Sequence, residues 1–227
     1  AREGAGVAIH GRDETALAVV HADIERAGGR AIRVVADVTR FEEIEALRAH
    51  VESQLGPVDI LVANAGGNPS PPAPVETISE ATWRATVDAN LTATFLTVKS
   101  FLPGMKARNA GTIITISSAA ARRPHPGSPI AYAAAKAAIQ IFTQDVAAQA
   151  GPHNIRINCI APEIILTERN QAAIPPAQQS QLAELHPLRR LGSPDDVARA
   201  ALFLSSPESA WITGVVLDVS GGAVMTT

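Results

Sequence analysis

Cysteine is almost absent from this chain of 227 residues, which has only Cys159. An internal disulfide is therefore excluded, and a metal site built from cysteines is not expected. Cys159 lies in the apolar run Ile155–Ala161, which predicts a small buried side chain, as is usual for a free cysteine. A reducing, cytoplasmic setting is the expectation that fits such a composition.

Basic residues are also few, since 19 Lys and Arg face 22 Asp and Glu and the formal net charge is -3. Proteins that bind duplex nucleic acid usually carry a clear excess of Lys and Arg, so no nucleic-acid surface is expected. Long apolar runs are missing too, and none approaches the roughly 20 residues of a membrane-spanning helix. Hydrophobic residues nevertheless make up 46% of the chain, enough for a large buried core.

Patterns typical of strands and helices alternate along the whole chain. Six apolar runs predict strands: Val7–His10, Ala31–Ala36, Val58–Ala63, Thr112–Ser117, Ile155–Ile160 and Val215–Val219. The stretches between them predict helices, among them a long one near 79–107 and an alanine-rich one at Ile130–Ala150. Strict alternation indicates one domain over 1–227, an α/β fold with a doubly wound parallel sheet of the Rossmann type.

Helix starts and one insert refine this picture. Thr39 with Glu42 predicts a capping box, and Ser193 followed by Pro194 predicts another helix start. The stretch 163–188 has no strand pattern and predicts a substrate lid at the carboxyl edge of the sheet. We expect the segments 68–74, 119–129 and 164–188 to border the substrate pocket.

Tyr132 and Lys136 stand four residues apart in the predicted helix Ile130–Ala150, so their side chains share one face. A free tyrosine titrates near pH ~10, and a nearby ammonium is expected to lower that pKa. Tyr132 is the only tyrosine of the chain. Taken alone, this spacing is common on solvated helices, so the interpretation depends on other residues.

Polar side chains follow two predicted strands, where ligands bind in such sheets. Ser117 and Ser118 end one strand, and Asn64-Ala65-Gly66 follows another. Asn90 lies inside a predicted helix, where asparagine is unfavourable relative to alanine, which suggests a hydrogen-bonding role. Turn formation by the serines and a purely structural asparagine are the alternatives.

In combination these residues resemble the short-chain dehydrogenase/reductase family, with 3-oxoacyl reductases as the nearest kind. The matching positions are Asp37-Val38, Asn64-Ala65-Gly66, Asn90, Ile116-Ser117-Ser118, Tyr132, Lys136, Asn158, Ala161-Pro162, Thr167, Ile212-Thr213-Gly214 and Ser220-Gly221-Gly222. The resemblance implies a nicotinamide-dependent enzyme that interconverts a ketone and a secondary alcohol of small or medium size. A non-catalytic cofactor sensor or scaffold with the same fold is the alternative.

The resemblance also implies a role for each of four catalytic residues. Tyr132 would be the general acid/base, and Lys136 would lower its pKa and hold the nicotinamide ribose. Ser118 would orient the substrate carbonyl and is preferred over Ser117, because the second hydroxyl of the pair usually has this role. Asn90 would anchor a water of the proton relay.

The cofactor implied is NADP(H) in preference to NAD(H). The resemblance places the adenosine ribose at the end of Val7–His10, where Arg12 could pair with a 2′-phosphate. An Arg12 that is solvated, or neutralised by Asp13, is the alternative. The cofactor-binding residues implied by the resemblance are Arg12, Asp37, Val38, Asn64, Ala65, Gly66, Tyr132, Lys136, Pro162, Ile165 and Thr167.

Two departures from the family pattern matter. The family's first strand and glycine-rich loop, which hold the pyrophosphate, do not occur in the sequence. That strand lies in the middle of the sheet and would leave its neighbours unpaired, so about 20–30 further residues are expected upstream. Glu163 stands where glycine is common.

Relatives commonly assemble as dimers or tetramers, so a homo-oligomer is expected, packed through the helices near 79–107 and 130–150.

Overall fold

The structure is a computed structural model and describes residues 1–67, 71–124 and 127–225. Within those ranges the chain forms six strands: β1 (Gly6–Gly11), β2 (Arg30–Val35), β3 (Ile60–Ala63), β4 (Gly111–Ile116), β5 (Ile155–Pro162) and β6 (Val216–Val219). The α-helices there are α1 (Glu14–Arg26), α2 (Phe41–Leu55), α3 (Glu80–Val87), α4 (Ala93–Arg108), α5 (Ile130–Ala150), α6 (Glu168–Ala173), α7 (Pro176–Glu184) and α8 (Pro194–Ser205). Parts of two predicted pocket segments, 68–70 and 125–126, lie outside the described residues.

All strand pairs are parallel, which confirms the predicted doubly wound α/β fold. The strands form a four-stranded sheet of order β3-β4-β5-β6 and a two-stranded sheet of order β1-β2. Each crossover within a sheet carries a helix, as the alternation of patterns predicted. The carboxyl ends of β3, β4, β5 and β6 therefore meet at one edge.

A groove separates β1, an edge strand of one sheet, from β3, an edge strand of the other. Strands β1 and β3 are not hydrogen-bonded partners, and a cavity of about 500 Å³ separates them. Its walls include Val7 and Ala8 of β1, Leu61 of β3, Val51 of α2 and Phe101 of α4. The groove lies where the family resemblance places an additional central strand.

The main core belongs to the four-stranded sheet. Ile113 and Ile114 of β4 and Ile157 and Ile160 of β5 are all 0% exposed. These strands are apolar on both faces because helices α4 and α5 cover one face and α8 the other. This packing holds the carboxyl ends of β4 and β5 rigidly in place, which is where the predicted catalytic residues lie.

One predicted helix start is confirmed and the other is wrong. Ser193 and Asp196 form a reciprocal capping box at the start of α8, with Pro194 in the first turn. Helix α2 instead begins after Arg40 without a side-chain cap. Thr39 lies one residue before the N-cap position, and its hydroxyl donates to Asp37 Oδ1 (2.7 Å), the local turn interaction typical of aspartate.

The long helix predicted near 79–107 is found with an interruption. Helices α3 and α4 are joined by a π-helical turn, Asp88–Thr92, that contains Asn90. The stretch 163–188 forms α6 and α7 and no strand, although Ile165 makes an isolated parallel bridge to Gly192. Across the described ranges, no helix is long and apolar enough to cross a bilayer.

Candidate active site

Ser117 and Ser118 follow β4 directly, and the structure gives them different environments. Ser117 is 2% exposed, donates to the Lys136 carbonyl oxygen (2.7 Å) and accepts from Gln140 Nε2 (2.9 Å). Ser118 Oγ accepts from the Ala120 N–H (3.2 Å), and its hydroxyl also forms a hydrogen bond with the phenol of Tyr132. Since Ser117 is fully engaged in the interior, the geometry favours Ser118 as the hydroxyl that can reach a substrate.

Tyr132 lies in the first turn of α5, which begins at Ile130 directly after Pro129. Its ring is partly buried against the carboxyl edge of the sheet. Burial raises the pKa of Tyr132, and the hydrogen bond with Ser118 offsets this only in part. The phenol therefore keeps its proton at neutral pH.

Lys136 lies one turn further along α5 and is 4% exposed. Its Nζ donates to the Ile116 carbonyl oxygen (2.8 Å) and lies 5.6 Å from the centre of the Tyr132 ring. Burial lowers the pKa of Lys136 to about 8. The ammonium is thus held against the end of β4, where the main-chain carbonyl satisfies one of its N–H groups.

The predicted lowering of the Tyr132 pKa by Lys136 is wrong for the protein by itself. Burial is the largest influence on the pKa of the phenol and acts in the opposite direction. The ammonium does not offset it, because Nζ is directed at the Ile116 carbonyl. A sequence spacing of four brings the two residues to one face but does not fix where the ammonium points.

Cys159 of β5 is 0% exposed, as predicted for a small buried side chain. Its Sγ contacts the Ile160 carbonyl oxygen at 3.7 Å. Burial raises the pKa of Cys159, so the thiol stays neutral beneath Lys136 and Thr115. The residue packs below the catalytic cluster and does not act as a nucleophile there.

Asn90 occupies the π-helical turn and is fully buried. Its side chain accepts from the Gly67 N–H (3.1 Å) and donates to the Gly67 and Thr86 carbonyl oxygens (2.8 and 2.9 Å). The predicted hydrogen-bonding role is therefore present, and it ties the loop after β3 to the helix. A Cβ at Gly66 would come within 2.7 Å of Asn90 Oδ1, which explains the glycine there. The role of Asn90 in holding a water stays a prediction.

Five of the predicted cofactor residues line one cavity of about 470 Å³ at the carboxyl ends of β1, β2 and β3. They are Arg12, Asp37, Val38, Ala65 and Gly66. The other wall residues are His10, Gly11, Ala36, Thr39, Gly67, Ala89 and Arg169. Residues distant in sequence thus converge on one opening, as the resemblance implied.

Of the two alternatives considered for Arg12, the structure agrees with a solvated guanidinium and not with one neutralised by Asp13. Asp13 does not neutralise it, because the Asp13 carboxylate caps α1 by accepting from the Ala16 N–H (3.0 Å). Asp37 lies nearer, with its Oδ2 3.9 Å from Arg12 Nη1, while the Arg12 side chain is 80% exposed. Hydrogen bonds from Thr39, and then the charge of Arg12, lower the pKa of Asp37.

Arg169 also lines this cavity and was missed by the sequence reasoning. It follows Thr167 by two residues and lies on α6, within the predicted lid. A basic residue just past the matching threonine was the only signal available. Its position brings a second guanidinium to an opening where Arg12 supplies the first.

The remaining predicted cofactor residues do not join that cavity. Asn64 is exposed just after β3, and Pro162 ends β5. Ile165 bridges to Gly192, and Thr167 caps α6 through a hydrogen bond from the Asn170 N–H (3.3 Å). Pro162, Ile165 and Thr167 follow β5, the neighbour of the strand that leads to Ser118. Their contact with a nicotinamide stays a prediction.

Asn158 and Thr213, two further matching positions, are structural. Asn158 Nδ2 donates to the Ile212 carbonyl oxygen (2.9 Å), and Oδ1 accepts from the Val215 N–H (3.1 Å). Thr213 Oγ1 accepts from the Ile157 N–H (3.1 Å). These bonds fasten β5 to the segment that leads into β6.

Glu163 lines a different cavity, of about 370 Å³, between the start of the insert and β6. His186, Asp218 and Gly222 are among its other walls. The Glu163 N–H donates to the Val219 carbonyl oxygen (3.1 Å), which fixes the backbone of the residue beside β6. We call the cavity lined by Arg12 and Asp37 the adenosine-side cavity, after the group that the resemblance implies there, and Glu163 is not among its wall residues.

A dinucleotide fits the donors and acceptors of this edge. His10 Nδ1 is buried and has no hydrogen-bond partner among the residues that the structure describes, and His10 forms part of the cavity wall. Burial lowers the pKa of His10, which favours the neutral ring. Within the described ranges, no group of acidic, histidine or cysteine side chains could hold a metal ion.

The fold is of the Rossmann class, and a serine, a tyrosine and a lysine lie together at the carboxyl edge of its sheet. The family model described as enoyl-(acyl carrier protein) reductase matches residues 1–224. The chain is 38% identical over 224 residues to the 7α-hydroxysteroid dehydrogenase of Escherichia coli K12, covering 99% of this chain and 86% of that protein. It therefore belongs to the short-chain dehydrogenase/reductase family, close to the 3-oxoacyl reductases.

Solved structures agree with the sequence comparison. A 7α-hydroxysteroid dehydrogenase complexed with NADH and 7-oxo-glycochenodeoxycholic acid superposes with a TM-score of 0.91 at 37% identity, over 98% of this chain and 86% of that one. A 3-oxoacyl-[acyl-carrier protein] reductase with bound NAD from Brucella melitensis gives 0.89 at 36% identity, over 98% and 83%. The parallel sheet flanked by helices therefore agrees with the fold of these relatives.

Proposed function

We propose that the protein is a nicotinamide-dependent oxidoreductase that interconverts a ketone and a secondary alcohol, with Tyr132 as the proton donor. One observation carries the proposal. Ser118, which follows the carboxyl end of β4, lies close to Tyr132 and Lys136, which are in the first turns of α5. The relatives are dehydrogenases and reductases, which supports the same reaction class.

Proton transfer follows from the state of the phenol. A raised pKa keeps Tyr132 protonated at neutral pH, so it can donate a hydrogen bond to a substrate carbonyl oxygen. When bound, the reduced nicotinamide supplies the hydride that adds to the carbonyl carbon. The oxygen gains negative charge as the C=O π bond opens, and the Tyr132 proton completes the alcohol. The phenolate then regains a proton from solvent.

Ser118 and Lys136 support this step in different ways. The Ser118 hydroxyl, already hydrogen-bonded to the phenol, orients the substrate oxygen toward Tyr132 and stabilises the charge that develops on it. Lys136, whose Nζ lies 5.6 Å from the ring centre, would hold the nicotinamide ribose beside the phenol. A protonated phenol in the resting protein suits reduction, so we propose the ketone as the physiological substrate.

NADP(H) is the cofactor we propose, on the strength of two guanidinium groups at the adenosine-side cavity. Arg12 and Arg169 both line it, and both are exposed at its walls. A guanidinium fork matches phosphate geometry, whereas a ribose hydroxyl offers less to it. Asp37 is held by Thr39 and lies 3.9 Å from Arg12, far enough to leave the guanidinium available to a 2′-phosphate.

A homo-oligomer in a reducing compartment completes the proposal. Phe95 of α4 and Ile141 of α5 are 44% and 60% exposed, and Phe95 stacks edge-on with Phe142 at 6.4 Å. These side chains form an apolar face on the two helices expected to pack against a second copy. Sedimentation of Ile141→Glu tests this, with the equally exposed Val19→Glu on α1 as the control; equal effects of the two changes would contradict it.

A substrate panel with both NADH and NADPH tests the reaction directly. The panel pairs apolar ketones of increasing size with a 3-oxoacyl thioester and a 7-oxo bile acid. Oxidation of NADPH that depends on one of these ketones supports the enzyme, and slower turnover with NADH supports the cofactor choice. Cofactor-induced thermal stabilisation without turnover of any ketone would instead favour the sensor.

A further inference from the structure

An ion pair joins Arg122, in the turn after Ser118, to Asp218 on the edge strand β6. Arg122 Nε donates to Asp218 Oδ1 (3.1 Å) and Nη2 donates to Oδ2 (3.2 Å), the two-pronged geometry of an arginine and a carboxylate. The two side chains are only 20% and 16% exposed. Asp218 is paired with Ala161 of β5 in the register of the sheet.

The same guanidinium also reaches the catalytic helix. Arg122 Nη1 donates to Gln140 Oε1 (3.2 Å), and Gln140 Nε2 donates to Ser117 Oγ (2.9 Å). Ser117 Oγ in turn donates to the Lys136 carbonyl oxygen (2.7 Å). Hydrogen bonds therefore run without a break from β6, through Arg122, to the backbone of Lys136.

The short turn between Ser118 and Arg122 transmits position efficiently. The Ala121 N–H donates to the Ser118 carbonyl oxygen (3.0 Å), and the Arg122 N–H donates to the Ala119 carbonyl oxygen (2.9 Å). A closed turn of this kind leaves little freedom between its ends. Holding the Arg122 side chain therefore restrains the backbone that carries Ser118.

A partly buried ion pair is weak evidence for stability, since desolvation offsets much of its attraction. Burying Arg122 and Asp218 in this place has a different consequence, because it sets the geometry of groups that must meet within hydrogen-bond reach. We propose that Arg122 is a positioning residue, which Asp218 and Gln140 hold so that Ser118 stays in register with Tyr132. The proposal rests on the function proposed for Ser118 and Tyr132.

Direct titration of Tyr132 tests the proposal without any substrate, because the chain has only one tyrosine. The ultraviolet absorbance of tyrosinate, followed against pH with circular dichroism as the check on folding, reports that single phenol. The hydrogen bond from Ser118 lowers the pKa of Tyr132. Ser118→Ala and Arg122→Gln should therefore both move the midpoint upward, and the double variant should move it no further than Ser118→Ala.

Matched variants separate positioning from folding. Arg48→Gln removes another partly buried arginine, which binds Glu45 and Glu52 on α2, and should leave the Tyr132 midpoint unchanged. Arg122→Lys should shift the Tyr132 midpoint less than Arg122→Gln does, because an ammonium can still pair with Asp218. If Arg122→Gln fails to fold, Asp218→Asn gives the same reading from the other partner.

Kinetics with a ketone accepted in the substrate panel provide the second readout. We expect Arg122→Gln to lower kcat by about 10- to 100-fold, the cost of misplacing a catalytic group by about 1 Å, with little change in KM. An unchanged midpoint together with unchanged kcat in folded Arg122→Gln and Asp218→Asn would overturn the proposal. Additive midpoint shifts in the double variant would also overturn it. If no ketone is reduced, the titration still decides this inference while the proposed function fails separately.

Discussion

The four-stranded sheet and the two-stranded sheet differ in how firmly they hold their functional residues. Strands β4 and β5 are enclosed by α4, α5 and α8, and the catalytic cluster sits on their carboxyl ends. Strands β1 and β2 pack mainly on a small cluster around Leu47, and β1 borders the open groove. The proton transfer that we propose thus belongs to the well-packed half, while the residues proposed to bind the adenosine lie at the carboxyl ends of β1, β2 and β3.

This division has a physical basis in what each half must do. A general acid works only within hydrogen-bond distance of the reacting oxygen, so its supports must be well packed. Recognition of a charged group by an exposed arginine tolerates more freedom, as the 80% exposure of Arg12 indicates. The predictions below compare the two halves, from the largest expected effect to the smallest.

Removal of the Ser118 hydroxyl should cost the most among the supporting groups. Loss of one hydrogen-bond donor to a developing oxyanion typically lowers kcat by about 10²–10³-fold. Steady-state kinetics of Ser118→Ala with an accepted ketone measures this. Ser117→Ala should lower stability and kcat by less, because Ser117 donates to the Lys136 carbonyl in the interior. A larger loss of kcat in Ser117→Ala than in Ser118→Ala would show that Ser117, and not Ser118, contacts the substrate.

Matched isoleucines on the two sheets compare their packing. Ile157→Ala on β5 empties a site that is 0% exposed and should lower the free energy of unfolding by about 2–5 kcal/mol. Ile32→Ala on β2, which is only partly buried, should cost less, below about 2 kcal/mol. Urea denaturation of both variants gives the values. Equal losses would contradict the difference in packing between the two halves.

The pH dependence of ketone reduction should follow the protonation of Lys136, which lies on the four-stranded half of the molecule. Tyr132 stays protonated well above neutral pH, but Lys136, with a pKa of about 8, loses its charge first. The value of kcat/KM should therefore be flat below pH 8 and fall as the pH rises through it, by at most about tenfold per unit. A profile that stays flat to pH 10 would remove Lys136 from the mechanism.

The smallest effect is expected at the open half. Arg12→Gln should weaken binding of NADP⁺ by about tenfold, the equivalent of ~1.4 kcal/mol, while NAD⁺ binding changes little. Isothermal titration with NADP⁺, NAD⁺ and 2′,5′-ADP measures the difference. Equal weakening of NAD⁺ and NADP⁺ would show that Arg12 does not contact the 2′-phosphate.

Much of the fold was predictable because strands and helices alternate and the buried strands are continuous apolar runs. The meeting of Ser118 with Tyr132 and Lys136 was predictable from the strand that ends at Ser118, the spacing of four on the helix and the family resemblance, while their catalytic roles stay a prediction. The direction of the Tyr132 pKa was not, because it depends on burial and on where the Lys136 ammonium points. Nor was the bond between Arg122 and Asp218, which lie 96 residues apart and meet only when β6 joins the sheet.

Local competition explains the failed cap on α2. Thr39 has the residue type of a helix cap, yet its hydroxyl and its N–H both donate to Asp37 Oδ1, and the helix begins one residue later than the predicted capping box requires. A pattern of spacing alone does not show which of these local structures forms. The same limit applies to Arg169, whose place at the adenosine-side cavity follows from the path of the insert and not from a motif.

The most direct test of the central claim is the kinetics of Tyr132→Phe with a ketone that the native protein reduces. Loss of the only phenol should lower kcat by about 10²–10⁴-fold, the contribution of a general acid, while the affinity for NADPH stays near that of the native protein. A Tyr132→Phe variant that binds NADPH and reduces the ketone at the native rate would contradict the account.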